Sequence, residues 1–425
     1  MTTRSALISG ASIAGPALAF WLSEAGWDVT VVERAERLRT SGYPVDIRGT
    51  AIDVVRRMGL HDQIVAEHYR HVPVEVLSPG GRRLSTLDIG RLANDAGRGD
   101  VEITRGVLSE ILYRTSRDRV GYVFGDSIAA LTQTDTGVDV TFNHLPPQTF
   151  DVVIGADGIH SNVRSLAFGD ESRFIRHLGP YAAIWDLQAD DMFASGTGFM
   201  YSHPGRTAMV ERPADGGAAR AFLAFVHPAP GTVNRHDTDE ILRTLHDTFA
   251  EDRWRTIEII DTLSRADDVY FDTASQVRMD CSWSSGRVAL VGDAAYAPAF
   301  LSGQGTSIAI AGAYVLASEL VRHDRPEPAF AAYERRLRGE ESELGTAHRL
   351  QRDIPHQWAA AAPQHQAVRG AMAAAAWACP PAADRAAISR HRSVAIEPGP
   401  PVLHALRVSG ERRPHRQSSE LNAVE

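Results

Sequence analysis

A chain of 425 residues with 44% hydrophobic and 23% charged side chains can bury a large core, and its length favours two or more lobes over one. A formal net charge of −9 offers no broad attraction to nucleic acid or to anionic membranes, so neither is expected as a partner. All 44 cationic side chains are Arg and none is Lys, which excludes Schiff-base chemistry, pyridoxal phosphate attachment included, and the phosphate-binding Lys of a P-loop.

The chain opens on a βαβ pattern. An apolar run from Ala6 to Ser9 leads into Gly10-Ala11-Ser12-Ile13-Ala14-Gly15, helical spacing covers Ile13 to Ala25, and a second apolar strand runs from Val29 to Val32. Ser and Gly interrupt this opening and no small-residue cleavage site follows, so it is read as strand and helix rather than as a signal peptide. Pro16 falls in the first helical turn, where its missing N–H costs nothing, and Gly26 marks the helix end. A further helix is expected over Val101 to Arg117, hairpin strands over Val120 to Phe142, and a buried parallel strand over Asp151 to Asp157. From Phe174 to Val277, apolar segments such as AAIWDL, GFMYSH, AFLAFV and DVYFDT alternate with Gly, Pro and Asp turns, which predicts a second, mostly antiparallel lobe. Gly286 to Ala295 then returns to the first pattern, with a helix from near Gly305.

The expected division is therefore a discontinuous dinucleotide lobe over 1–73, 100–173 and 277–349, a β-rich lobe over 74–99 and 174–276, and a partly disordered C-terminal segment over 350–425, where composition shifts to Ala, Pro, Arg and His. No run approaches the roughly 20 apolar residues of a membrane span. Cys281 and Cys379, the only cysteines, make neither a disulfide framework nor a zinc ligand set. A cytoplasmic monomer or homodimer without a metal is expected.

Gly10 permits a tight turn, the helix N-terminus behind it offers free N–H groups and partial positive charge to a pyrophosphate, and Gly15 lets helix and strand pack closely. Glu33, at the end of the next strand, can accept bonds from an adenosine ribose. Ser12 stands where the dinucleotide fingerprint has its second glycine. The segment also echoes a hydrolase nucleophile elbow around Ser12, but position 14 is Ala and Gly15 comes one residue late. A second motif runs from Gly155 through Asp157 and Gly158 to Arg164, and a third from Gly286 through Gly292-Asp293 to Pro298 and on to Ser302-Gly303-Gln304-Gly305-Thr306. Each alone reads equally as an ordinary strand-turn-helix unit.

In this order, the three motifs resemble those of the class A, aromatic-hydroxylase family of FAD-dependent monooxygenases, whose relatives include para-hydroxybenzoate hydroxylase and the tetracycline-inactivating and polyketide-tailoring monooxygenases. The resemblance implies an α/β fold: a Rossmann-like FAD-binding domain of the para-hydroxybenzoate hydroxylase type with an inserted, mostly antiparallel β-sheet substrate domain. It implies that Gly10, Ser12, Ile13, Ala14 and Gly15, with Glu33 and Arg34, hold the ADP half of FAD. Arg105 is implied to reach the flavin nucleotide, and Asp293 the ribityl chain. Asp157 and Gly158 belong to the motif that the family associates with both FAD and NADPH. Asp46, in GYPVDIRG, resembles a flavin-contacting Asp, and Arg39 resembles a pyridine-nucleotide contact, although a surface Arg fits it as well. Pro298, Gly303 and Gly305 would approach the flavin ring. Arg48 reads equally as a flavin or substrate contact and as a structural Arg. Tyr296 departs from the His that many relatives carry after Gly-Asp-Ala-Ala, and the chain after Arg349 does not resemble the family's usual helical ending.

The activity implied is hydroxylation of an aromatic or polycyclic, polyketide- or antibiotic-like molecule by FAD, NADPH (or NADH) and dioxygen through a flavin hydroperoxide, in a site kept dry. The cofactor carries the chemistry, so no side chain is singled out as catalytic. Only one dinucleotide fingerprint occurs and FAD takes it, which leaves NADPH to bind transiently. Trp185, Phe199, Met200, Tyr201, Met209, Phe222 and Phe225 could line an apolar pocket, with ordinary core as the plainer reading. His68, Tyr69, Arg70 and His71 read as a solvated helix end rather than a metal site. Baeyer-Villiger oxidation, epoxidation or dehydrogenation by the same flavin, a flavin binder without turnover, and a Ser12 hydrolase are the alternatives.

Overall fold

A computed structural model of the protein describes residues 3–39, 42–78, 80–88, 100–187, 192–227, 229 and 231–339. The expected C-terminal segment, Cys379 and part of the expected 74–99 stretch lie outside the described residues. One sheet has the strand order Ser284–Ser285, Val288–Leu290, Val152–Gly155, Ser5–Ser9, Asp28–Glu33, Gly121–Phe124. Its neighbours are parallel except for the two-residue edge strand. Strands buried on both faces need apolar residues at every position rather than at alternate ones, and Val152–Gly155 is buried throughout. The helix Ala14–Glu24 buries nine of its eleven residues, so it lies between layers rather than on the surface. The helix Gly305–Arg322 packs beside it, with Trp21 edge-on to Tyr314 at 5.0 Å.

The second sheet has the order Val269–Val277, Ile175–Asp186, Arg220–Val226, Arg206–Arg212, Thr197–His203, Val74–Leu77, Arg83–Leu87. Every pair is antiparallel except Thr197–His203 with Val74–Leu77. Alternate residues point to opposite faces. Tyr181, Ala183, Leu223, Phe225, Ala208 and Val210 form a core with the helices Thr238–Phe249 and Thr256–Thr262 through Ile241, Leu245, Phe249 and Ile259. The opposite face is left for a cavity. Along it, the cross-strand register places Tyr270, Ile184, Phe222, Met209, Met200 and Val76 in one row.

Two expectations need correction. Val101–Thr104 is a strand, antiparallel to Pro44–Ile47, and the helix starts only at Arg105. Its two-residue alternation, with Val101 and Ile103 buried, is satisfied by strand pairing, and four residues are too short a run for that alternation to stand out against the helical spacing that follows. Gly121–Phe124 is the parallel edge strand beside Asp28–Glu33 and not part of a hairpin. The hairpin consists of Ile128–Gln133 and Val138–Phe142, extended by Gln148–Phe150. Among the described residues, no helix is long and apolar enough to cross a membrane.

Candidate cofactor and active site

The first turn is built by sterics. Gly10 has φ +108°, and a Cβ there would lie 2.5 Å from the Ala156 carbonyl oxygen. A Cβ on Gly15 would lie 1.9 Å from the Gly10 carbonyl oxygen, so this glycine serves helix–strand packing. No side chain caps the Ala14–Glu24 helix, and its first-turn N–H groups are available to an anion. Glu33 is held at the end of its strand by two backbone donors: Ala11 N–H to Oε2 at 2.8 Å and Ala35 N–H to Oε1 at 2.9 Å. Each carboxylate oxygen keeps capacity for a further bond.

The Asp-Gly motif is an internal brace. The Asp157 carboxylate accepts from Ser9 Oγ at 3.2 Å, from Val163 N–H at 3.0 Å and from Ser161 Oγ. Burial pushes its pKa up, and these donors oppose the shift. Gly158, at φ +83°, then turns the chain. Arg164, which the sequence reading left outside the site, is wholly buried and donates to the carbonyls of Ala294 at 2.8 Å and Ile159 at 2.6 Å. His160 lies between Asp272, at 2.9 Å, and Glu171, at 3.1 Å, and so connects this motif to the seven-stranded sheet.

The Gly-Asp motif presents Asp293 at the start of a short helix. The side chain is exposed, but what it faces is the cavity. The protein around it raises its pKa by burial, with Arg105 acting in the opposite sense. Arg105 opens the helix Arg105–Ser116 and is placed by a 3.1 Å bond from its N–H to the Tyr43 carbonyl. The Tyr43 and Tyr270 rings meet edge-on at 5.2 Å, joining the two lobes beside Asp293, and burial raises both hydroxyl pKa values. Gly303 has φ +62°, and a Cβ there would come within 2.8 Å of Asp46 Oδ2. Asp46 is tied to the helix Gly305–Arg322, which follows this loop, by Ser307, whose Oγ donates to the Asp46 carbonyl at 3.1 Å and accepts from Arg48 N–H at 2.9 Å. Burial raises the Asp46 pKa to about 6; Arg48, 2.7 Å away, opposes this, while Glu102 and Asp100 add to it. Tyr296 faces away from the cavity: its hydroxyl lies 3.1 Å from Tyr333 Oη and occupies the space that a Cβ on Gly312 would need.

These parts line one cavity of about 1740 Å³. Every residue expected from the sequence to hold the cofactor lines it except Gly15: Gly10, Ser12, Ile13, Ala14, Glu33, Arg34 and Arg39, then Asp157 and Gly158, and Asp46, Arg48, Arg105, Asp293, Pro298, Gly303 and Gly305. Trp185, Met200, Met209, Phe222 and Phe225 line it too, whereas Phe199 and Tyr201 do not. The reading of His68 to His71 as a solvated helix end is wrong. The helix stops at Ala66, Tyr69 N–H donates to the Glu102 carbonyl at 2.7 Å, and Tyr69 and His71 line the cavity. His71 sits between Glu102, at 2.9 Å, and Glu211, at 3.2 Å, which lie 31 and 140 positions away in sequence, so no local spacing signals the contact. Burial alone would lower the His71 pKa, but the two carboxylates override it and hold the ring at about 10. Among the described residues there is no cluster of His, Cys, Asp and Glu that could hold a metal ion.

A glycine turn on an uncapped helix, a braced carboxylate at the next strand end and a carboxylate facing a shared cavity define a dinucleotide-binding α/β protein. Residues 3–337 match the FAD binding domain family. An uncharacterized protein of Mycobacterium tuberculosis is 39% identical over 340 residues, covering 79% of this chain and 90% of its own. A flavin-dependent monooxygenase of an unknown prokaryotic organism is 34% identical over 338 residues, covering 79% of this chain and 86% of its own. Among solved structures, the tetracycline destructase Tet(55) superposes with a TM-score of 0.74 at 31% identity, over 84% of this chain and 90% of that one. The chain belongs to the FAD-binding family of class A flavoprotein monooxygenases and is an FAD-dependent oxidoreductase.

Proposed function

We propose that the protein is a monooxygenase that uses NADPH and dioxygen to hydroxylate a polycyclic, polyketide- or antibiotic-like molecule. The observation that carries this is one continuous cavity of about 1740 Å³ running from the Gly10 turn to the seven-stranded sheet. It exceeds the roughly 300–1,000 Å³ of an ordinary ligand pocket, which leaves room for a cofactor and a large substrate together. We read the parallel-sheet lobe as the FAD part and the seven-stranded lobe as the substrate part.

Along the cavity, the donors and acceptors fit FAD in order. The N-terminus of the Ala14–Glu24 helix meets the pyrophosphate, Glu33 and Arg34 the ribose, and Asp293 and Arg105 the ribityl and phosphate end. Gly303 and Gly305 allow backbone to approach the ring, and the Gly305–Arg322 helix aims its N-terminal dipole there, favouring negative charge. When bound, FAD supplies the electron transfer and oxygen activation; the chain binds, orients and excludes water. Exclusion falls to the row Ile184, Phe222, Met209, Met200 and Val76. Beside it, on the same sheet face, Asp186, Arg220 and Glu211 form a parallel polar row, with Arg220 bonded to Asp186 at 2.7 Å, suited to the oxygenated edge of a fused-ring substrate.

The choice of NADPH is supported by positive charge at the cavity rim. Arg34 and Arg39 from one lobe and Arg235 from the other line it. Burial, then Arg235, Arg34, His160 and Arg39, pull the His236 pKa below its ordinary value, as a cationic cluster awaiting an anion would. A 2′-phosphate is such an anion. The test supplies FAD-loaded protein with NADPH, isotopically labelled dioxygen and a panel of fused-ring phenols that includes tetracycline. Label in the product and substrate-stimulated NADPH oxidation are expected; peroxide release without labelled product from any compound would overturn the proposal.

A further inference from the structure

We propose that His71 sets the charge at the flavin end of the cavity, as a positioning residue that acts through Glu102 on Asp46. The inference rests on the reading above that Asp46 and Gly303 flank the flavin ring. Geometry comes first. His71 Nε2 is 2.9 Å from Glu102 Oε2 and Nδ1 is 3.2 Å from Glu211 Oε1. A neutral imidazole has one N–H and these carboxylates require two, so both nitrogens donate and the ring is an imidazolium. Glu211 is buried and takes a further bond from Val72 N–H at 2.9 Å, so the anchor at that end is rigid.

Glu102 and Asp46 are direct partners in the antiparallel pair of Pro44–Ile47 with Val101–Thr104. Carboxylates opposite one another across strands repel. Here each has its own cation: Arg48 for Asp46, at 2.7 Å, and His71 for Glu102. The other groups facing the line are Asp100, 4.0 Å from Arg48 Nε, the Tyr69 ring, edge-on to His71 at 4.9 Å, and the Arg220–Asp186 pair. The two facing carboxylates, Asp46 and Glu102, are therefore flanked by Arg48 on one side and by His71, itself anchored on Glu211, on the other, and the Asp46 end stands against Gly303. In a partly buried site such charges are poorly screened and act at this range. Removing the His71 charge leaves Glu102 uncompensated beside Asp46 and makes the ring's surroundings more negative, which disfavours the reduced cofactor. Removing the Glu102 charge does the opposite.

The reduction potential of bound FAD in wild type, His71→Gln, Glu102→Gln and the double variant tests this, by photoreduction against indicator dyes at a pH above the ordinary histidine range. A more negative potential is expected for His71→Gln, a more positive one for Glu102→Gln, and a return toward wild type for the pair. A loosened fold would move both single variants in the same direction; that result, or no movement, overturns the proposal. If His71→Gln retains no FAD, the sign for Glu102→Gln decides alone. Imidazole NMR of the FAD-free protein gives a second reading: a His71 ring that titrates in the ordinary histidine range also overturns it. None of these measurements uses NADPH or substrate, so failure of the monooxygenase assay and failure here are separate results.

Discussion

Arg164 donates to the Ala294 carbonyl at 2.8 Å, and with its second bond, to Ile159 at 2.6 Å, it ties the Asp-Gly motif to the Gly-Asp motif. Two motifs 130 positions apart thus share one buried guanidinium. Replacing Arg164 by Leu strands two carbonyls in the interior, each at a cost of about 1–3 kcal/mol. The expected result is a fall in unfolding free energy of about 2–6 kcal/mol in urea titration with reduced FAD content. A variant as stable as wild type would show that the bridge is not structural.

Asp293→Ala removes the carboxylate that faces the cavity centre. A charge-assisted bond to a partly buried hydroxyl is worth about 1.5–3 kcal/mol, so FAD affinity falls roughly ten- to 150-fold. Titration of FAD-free protein with FAD, followed by flavin fluorescence, measures it. Unchanged affinity would count against the place given to the ribityl chain.

Two glycine substitutions separate packing from binding. Gly15→Ala drives a Cβ to 1.9 Å from the Gly10 carbonyl and destabilises the fold by about 3 kcal/mol. At Gly305 the nearest atom to a Cβ is Asp293 Oδ1 at 3.6 Å, an ordinary contact. Gly305→Ala therefore preserves the melting temperature and weakens FAD binding, because the added methyl stands between ring and helix. Equal thermal losses in both variants would refute the distinction.

Ala299 adopts φ 70° and ψ 143°, a backbone region that belongs almost entirely to glycine, in the loop between Pro298 and Gly303. Ala299→Gly relieves this strain and raises the stability of the FAD-free protein by about 1 kcal/mol. Differential scanning calorimetry checks it, and a lowered melting temperature would refute the strain.

The stability contributed by His71 depends on pH in a defined direction. Its folded pKa of about 10 lies above the ordinary 6.5, so the protonated ring stabilises the folded state fully below 6.5, and that contribution is lost as pH rises through about 10. The difference in unfolding free energy between wild type and His71→Gln should be largest at about pH 6 and shrink steadily as pH rises toward 10. A difference that grew with pH would contradict the ion pairs with Glu102 and Glu211.

The cofactor half was legible because its determinants are local. Gly10, Gly15 and Glu33 sit at spacings imposed by one strand, one turn and one helix, and the runs around Asp157 and Asp293 repeat that logic. Strand periods also mark Asp28–Glu33 and Val152–Gly155 with nearly correct ends, and the start of the helix Gly305–Arg322. Val101–Thr104 was misjudged because a four-residue strand has too little periodicity to oppose the helix that follows.

What only the tertiary structure decided is which distant groups meet. His71 with Glu102 and Glu211, Arg164 with Ala294, and Tyr43 with Tyr270 are pairs brought together by two sheets closing on one cavity. A side chain's charge state and partners depend on burial and on neighbours supplied by other strands, and neither is a property of the residues beside it in the chain. Local sequence therefore determined where the glycine turn lies and what it suits, while the folding of the second sheet over the first determined the charges and the size of the space beside it.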